Sequence, residues 1–325
     1  MKKIILLFLF LITTNLIYPL NLKIVWWNLQ NFFDTTDDPL KKDTILTKDQ
    51  YELKLSRISR MLIKINADIV GVCEIENINV LSELANKTNY PYYYLEEGND
   101  PRGINIALLS KFPVNYTSNK DNIIPYSGNK NYKFSRDCPV AKLNIKEKEI
   151  VFILTHLKSK NIIRNDSFQK NNLEDNDLKE DKSKEEDNSK KRYNLKKENY
   201  LKKENDLKKD AEIFGILDII DTLYSSYIDN GKKIPYLLIM GDFNANRYEK
   251  PLINLEKSGL KILNYIYSED SMYTYIYNDK KEDIDYFVFN DRAFNNIKIK
   301  EFKALHSKEF INISDHFPLY LEIKF

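Results

Sequence analysis

Four apolar stretches of this chain each run into a residue that can bind a metal or move a proton. Trp26 and Trp27 lead into Asn28, Gly71 to Cys73 into Glu74, Ile153 to Thr155 into His156, and Ile239 to Gly241 into Asp242, with Asn244 two residues on. Polar residues that close buried strands stand on rigid supports at the rim of a sheet, where α/β proteins tend to build their sites. One such residue is an ordinary strand cap; four make a pattern. Only three histidines occur, His156, His306 and His316. His156 closes an apolar run, and His316 stands in Ser314-Asp315-His316-Phe317-Pro318 just before the last one. Imidazole titrates near neutral pH, so both are candidates for proton transfer. His306 has no comparable setting and reads as a surface residue.

No activated nucleophile accompanies them. There is no Gly-x-Ser-x-Gly elbow, the eight glycines form no phosphate-cradling loop, and Cys73 lies inside an apolar run. The only other cysteine is Cys138, and no Cys/His spacing suggests zinc. Two buried thiols are expected, a single bridge being the alternative. Acids, bases and hard oxygen ligands without a nucleophile point to hydrolysis by water, with Mg²⁺ suited to a few carboxylates, retained waters and phosphate oxygens.

The elements that must hold these residues are short. Lys23–Trp27, Ile69–Cys73, Ile104–Leu109, Ile150–Thr155, Tyr236–Met240 and Tyr286–Phe289 are apolar and rich in β-branched residues, which predicts buried strands. Tyr51, Leu55, Ile58, Leu62 and Ile65 form a helical stripe, with Thr47 and Gln50 as its capping box. Ile213, Leu217, Ile220 and Tyr224 form another. Strands alternating with helices predict an α/β fold.

Two segments stand apart. Residues 1–20 begin with Lys2 and Lys3, continue through the apolar run Ile4–Ile12 and end in small or polar residues. That layout predicts a signal peptide, and hence a secreted, periplasmic or cell-surface protein; a retained membrane anchor is the alternative. Residues 161–209 mix Lys, Glu, Asp and Asn with few apolar side chains, so a solvated, disordered insert is expected, its second half from about Lys190 able to form an exposed helix. The rest of 21–325 fits one large α/β domain. With 50 basic and 48 acidic residues the net charge is +2, so substrate steering must come from local clustering. No protein partner is evident, and a monomer is expected.

In order along the chain, these motifs resemble the endonuclease/exonuclease/phosphatase superfamily. Trp27-Asn28-Leu29-Gln30-Asn31-Phe32 looks like its opening motif, and Glu74 looks like the metal glutamate, with Glu76 the runner-up two residues along the strand. Ser135-Arg136-Asp137-Cys138-Pro139 is similar to a phosphate-contacting segment, and Thr155-His156-Leu157-Lys158 to the mid-chain histidine motif. Gly241-Asp242-Phe243-Asn244, Asp283-Ile284-Asp285-Tyr286-Phe287 and Ser314-Asp315-His316 complete the set. The resemblance implies a deoxyribonuclease I-like four-layer sandwich, two packed mixed β-sheets flanked by helices. It also implies roles: His316, oriented by Asp285, as general base; Asp242 positioning water; Asn244 stabilising the pentacovalent phosphorus; His156 and Arg136 on the phosphate, His156 also protonating the leaving oxygen; Glu74 and Asp315 with Asn28 around Mg²⁺, Mn²⁺ or Ca²⁺ being alternatives.

Asn99–Leu109, Tyr273-Thr274-Tyr275 and Phe33-Asp34 look like segments of secreted bacterial nucleases of that superfamily, which implies a nucleic acid substrate, DNA above all. A phosphatase, a sphingomyelinase using Tyr92-Tyr93-Tyr94 at a membrane, and a silent surface adhesin are the alternatives. Packing at a sheet edge is the plainer reading of those tyrosines.

Overall fold

The computed structural model describes residues 20–126, 130–159 and 182–325. The leader, up to residue 19, and residues 160–181 of the charged tract lie outside the described residues.

Strand periodicity decides which side chains meet. Along β1 (Asn21–Phe32), Leu22, Ile24 and Trp26 face one way and Val25, Trp27 and Leu29 the other, all of them buried. Both faces are covered, which is why the strand reads as continuously apolar. β1 runs parallel to β2 (Ile69–Ile75) and antiparallel to β16 (Leu319–Lys324). With β3 (Tyr92–Leu95), β4 (Asn105–Ser110) and β15 (Lys298–Ala304) they form a mixed sheet in the order β15-β16-β1-β2-β4-β3. The expected tyrosine run is β3, an edge strand, in which Tyr94 stacks on Tyr116.

The second sheet is built from β5 (Asn115–Thr117), β8 (Val140–Ile145), β9 (Lys148–His156), β10 (Tyr236–Asp242), β11 (Lys261–Ile262) and β14 (Asp285–Phe289). Its order is β11-β14-β10-β9-β8-β5. Two hairpins stand outside the sheets: β6 (Ile124–Tyr126) with β7 (Lys130–Tyr132), and β12 (Tyr275–Tyr277) with β13 (Lys280–Glu282).

The facing surfaces of the two sheets share one core that includes Ile24, Trp26, Phe152, Leu154, Met240 and Phe287. Full burial of aliphatic and aromatic side chains such as these contributes roughly 1.5–3 kcal/mol each. The outer face of the first sheet packs on α1 (Lys48–Ile65) and α2 (Ile78–Thr88) through Leu55, Ile58, Leu81 and Leu84. The second sheet packs on α3 (Lys182–Asp229) and α4 (Lys250–Lys257) through Ile213, Ile216, Ile220, Leu252 and Leu255. Short helices α5 (Glu269–Met272), α6 (Asp291–Asn296) and α7 (Lys308–Ile311) fill connections. Helix, sheet, sheet, helix is the expected four-layer α/β sandwich. Thr47 and Gln50 form the expected capping box on α1.

The second half of the charged tract is helical. Helix α3 starts at Lys182 and runs unbroken into the apolar stripe at Ile213–Tyr224. Lys and Glu are good helix formers, and extending a helix that tertiary packing has already nucleated costs far less than starting one. The helix allowed from about Lys190 is thus present and begins a little earlier, at Lys182. Near the end of the tract, Lys130 and the Tyr132 hydroxyl donate to Glu204 at 2.9 and 2.8 Å, and Lys209 is only 2% exposed.

Candidate active site

The alternation that builds the inter-sheet core also builds the site. Ile24, Trp26 and Asn28 share one face of β1; Phe152, Leu154 and His156 one face of β9; Leu238, Met240 and Asp242 one face of β10; and Phe289, Phe287 and Asp285 one face of β14. Asp242 pairs directly with His156 on one side and Asp285 on the other. The core pattern thus runs out into four neighbouring polar residues at one end of the sandwich. Gly241 permits this spacing: a Cβ there would sit 2.3 Å from the Thr155 carbonyl oxygen and wedge β10 from β9 beneath Asp242.

His316 arrives on the loop before β16. Its Nδ1 lies 2.7 Å from Asp285 Oδ2, and Trp26 Nε1 donates to the other Asp285 oxygen at 2.8 Å. Trp27 Nε1 holds the His316 carbonyl at 3.0 Å, and the Ser314 hydroxyl donates to the Asn28 carbonyl at 2.7 Å. The ring is thereby fixed with Nε2 facing Asp242 Oδ2, 3.9 Å away. Asp242 also receives the Asn28 amide at 3.1 Å and the Asn244 backbone N–H at 2.8 Å, with His156 Nε2 3.5 Å off.

Charge is concentrated here. Burial and the neighbouring Asp285 carboxylate push Asp242 up to about 7. Burial disfavours the His316 cation, but Asp285, Asp242 and Asp315 outweigh it and push the imidazole up to about 10. His156 goes the other way: burial and the guanidinium groups of Arg136 and Arg102 drive it well below its usual range. One histidine is thus poised to hold a proton while the other stays neutral, the separation expected where two imidazoles take different roles.

An open cleft of about 410 Å³ exposes these groups, lined also by Glu74, Asp315, Arg136, Arg102, Lys158 and Tyr275. Arg136 is 1% exposed, pairs with Asp100 at 2.9 Å and donates to the Leu157 carbonyl at 3.1 Å.

A family model described as Endonuclease/Exonuclease/phosphatase family matches residues 23–180, which include Asn28, Glu74, Arg136 and His156. Over those residues, just under half of its length, the chain matches the endonuclease/exonuclease/phosphatase superfamily. A search of curated proteins gave no match. Among solved structures, an endonuclease/exonuclease/phosphatase from Bacteroides vulgatus aligns with TM-score 0.56 at 14% identity, over 94% of this chain and 98% of that one. D. rerio TDP2 complexed with single strand DNA product aligns with TM-score 0.52 at 13% identity, over 93% and 98%. The human Nocturnin catalytic domain with bound sulfate anion aligns with TM-score 0.54 at 15% identity, over 93% and 94%. At these identities the likeness speaks for the shared fold. The superfamily comprises hydrolytic phosphoesterases, nucleases and phosphatases that generally use a divalent metal.

The superfamily's metal requirement can be tested against the donors present. Glu74, Asp315 and Asn28 all line the cleft. Burial and the charge of Glu74 raise the Asp315 carboxyl, so the pair carries repulsion that a cation would relieve. The Asn28 oxygen accepts the Gln30 N–H at 2.9 Å and keeps a second lone pair. Hard oxygen donors of this kind fit Mg²⁺. Asp242, Asp285 and His316 also offer ligand atoms within 4.8 Å of one another, but those groups are engaged with each other and with Trp26. Cys73 lies close to His156 and Asp242, but burial holds its thiol protonated; Cys73 and Cys138 are both free.

One expectation within this superfamily pattern needs correcting. Glu76 was to share the face of Glu74 by alternation. Glu74 instead sits at φ 59° in a bulge where the β2–β4 register slips. The bulge sends Glu74 into the cleft, where it accepts the Asn31 N–H at 2.9 Å. Glu76 turns to a separate acidic hollow with Asp34, Asp37 and Asp38. Gln30, Asn31 and Asn244 share the left-handed backbone at φ 51°, 54° and 46°, a costly conformation for non-glycine residues that collects at the rim.

Sequence reasoning missed several supporting residues. Glu212 on α3, 1% exposed, accepts the Ser135 N–H at 2.6 Å with one oxygen and the Lys158 N–H at 2.7 Å with the other, tying the Arg136 loop to the His156 loop. Lys209 donates to the Asn244 carbonyl at 2.6 Å. The one hint was the position of Glu212 next to Ile213, where the apolar stripe begins.

Proposed function

We propose that this chain is an exported, divalent-metal-dependent phosphodiesterase that cleaves nucleic acid, DNA foremost, by attack of water on phosphorus. The observation that carries the reading is the Asp285–His316–Asp242 row: an imidazole clamped at Nδ1 by a carboxylate, its Nε2 facing a second carboxylate, at the floor of an open cleft. His316 Nε2 takes the proton of a water that Asp242 orients, and Asp285 stabilises the resulting imidazolium. Arg136 and the neutral His156 donate to the phosphate oxygens as charge builds on phosphorus. As the P–O bond to the leaving group breaks, the expelled oxygen takes its proton from solvent in the open cleft, since the neutral His156 suits hydrogen bonding rather than the acid role implied by the resemblance. A divalent cation held by Glu74 and Asp315, with Asn28, would polarise the phosphate and, by offsetting these carboxylates, bring the proton affinity of His316 down toward neutrality.

Export rests on the leader, residues 1–20, and the single domain on the core that the two sheets share. The experiment is a side-by-side digestion of supercoiled plasmid, RNA, sphingomyelin and an inositol polyphosphate in Mg²⁺. Plasmid nicking supports the proposal; turnover of only the lipid or the inositol phosphate contradicts it.

A further inference from the structure

Tyr275 and Tyr277 stand two residues apart on β12, so both rings leave one face of the β12–β13 hairpin. Their planes differ by 6° and their ring centres are 6.2 Å apart. Tyr275 in turn packs on His316, with ring centres 4.7 Å apart at 40°, and the two backbones form an isolated bridge. The three rings make one row that starts at the imidazole and ends in solvent, where Tyr277 is 56% exposed. Both tyrosines line the cleft that holds Glu74, Asp242 and His316.

Neither folding nor the chemical step accounts for Tyr277. Its ring is too exposed to serve the core, and the hydrolytic groups are complete without it. The strand that carries it is nonetheless firmly held. Asn278 and Asp279 both have positive φ, 49° and 61°, the backbone of a tight two-residue turn that matches the strand twist. On the opposite face, Ile276 packs against the core under the first sheet. Lys280, directly across from Tyr277, sets an exposed cation beside the ring. A rigid, exposed aromatic next to a cation, one step out from a centre that cleaves phosphodiesters, suits a flat aromatic group tethered to phosphate.

We infer that Tyr277 stacks on a nucleobase beside the scissile phosphate while Lys280 meets a neighbouring phosphate, so that the favoured substrate is a strand with unpaired bases. This rests on the phosphodiesterase reading above. In a duplex both faces of a base are covered by its neighbours, whereas a single strand or frayed end offers a free face to the ring.

The test compares a single-stranded thymidine oligomer with an equally long oligomer of base-free tetrahydrofuran residues, in Mg²⁺, for the wild-type chain, Tyr277→Ala and Tyr277→Phe. Tyr277→Ala is expected to cut kcat/KM on the thymidine oligomer on the order of 5- to 100-fold, mostly through KM, the usual worth of one base–aromatic stack. The base-free oligomer should lose several-fold less, and Tyr277→Phe should restore most of the thymidine activity. Equal losses on both oligomers, or no loss on thymidine, overturn the assignment. A wild-type chain that nicks plasmid but cleaves neither oligomer overturns this assignment alone; one that cleaves neither oligomer nor plasmid overturns the nuclease reading, and this one with it.

Discussion

His316 Nδ1 lies 2.7 Å from Asp285 Oδ2, and the opposite oxygen of that carboxylate is held by Trp26 Nε1 at 2.8 Å. The carboxylate can hardly turn away, so the imidazole presents Nε2 to the cleft in a single tautomer. Replacing Asp285 by Asn keeps the shape and removes the charge that stabilises the imidazolium. The expected cost in single-turnover hydrolysis is on the order of 10²–10⁴-fold, the usual worth of positioned acid–base catalysis, with the circular dichroism spectrum unchanged. A loss below tenfold would show that Asp285 only shapes the fold. His306, which stacks on Tyr273 at the surface, should be replaceable by Ala with little effect.

The shifted groups also fix the sign of a pH effect in the metal-free protein. Asp242 holds its proton up to about 7 when folded, above its ordinary range, so folding weakens as pH rises through that window. His316, raised to about 10, adds stability in full below its ordinary value of 6.5 and loses it as pH climbs toward 10. Both act in one direction. The melting temperature in EDTA should therefore fall between about pH 4 and pH 10 more steeply in the wild-type chain than in Asp285→Asn, which removes the carboxylate that most raises His316. A wild-type melting temperature that rises across the upper half of that window, or an Asp285→Asn slope equal to the wild-type one, would contradict this charge balance.

Glu212 gives a third test. Both of its oxygens are committed, one to the Ser135 N–H and the other to the Lys158 N–H. Glu212→Ala leaves the buried Ser135 N–H without a partner, at about 1–3 kcal/mol, releases the half-buried Lys158 N–H, and frees the loops that carry Arg136 and His156. Thermal melting should drop by several degrees, and KM for a phosphodiester should rise more than kcat falls. Lys209→Met, which detaches Asn244 from α3, should instead act mainly on kcat. Unchanged kinetics in both variants would limit α3 to a packing role.

The sequence made the site residues legible because the signals are local. Asn28, His156 and Asp242 each close an apolar run whose period of two continues into the cleft, so strand ends could be read without knowing which strands pair. Asp285 and His316 needed the family pattern, since 31 residues separate them and their contact depends on β14 and β16 starting at the same end of the sandwich. The Trp26–Asp285 bond spans 259 residues and has no local trace. Glu76 misled because alternation assumes a regular strand, and the bulge at Glu74 is a backbone event that an ordinary Cys-Glu-Ile-Glu run does not announce. In the charged tract the helix start was legible only to within about a turn or two, because composition favours disorder in isolation and the helix propagates back from its packed end. The β12–β13 hairpin could be heard only in Asn278-Asp279, a turn pair among many Asn and Asp residues.

The central claim is that water activated by His316, with a divalent cation at Glu74 and Asp315, cleaves phosphodiesters. The most direct measurement is the rate of plasmid nicking against Mg²⁺ concentration for the purified wild-type chain, Glu74→Gln and His316→Ala, with an EDTA control. The account predicts no nicking in EDTA, a saturable Mg²⁺ dependence shifted to much higher concentration in Glu74→Gln, and near-complete loss at every Mg²⁺ concentration in folded His316→Ala. Full nicking in EDTA, or wild-type rates from His316→Ala, would contradict it.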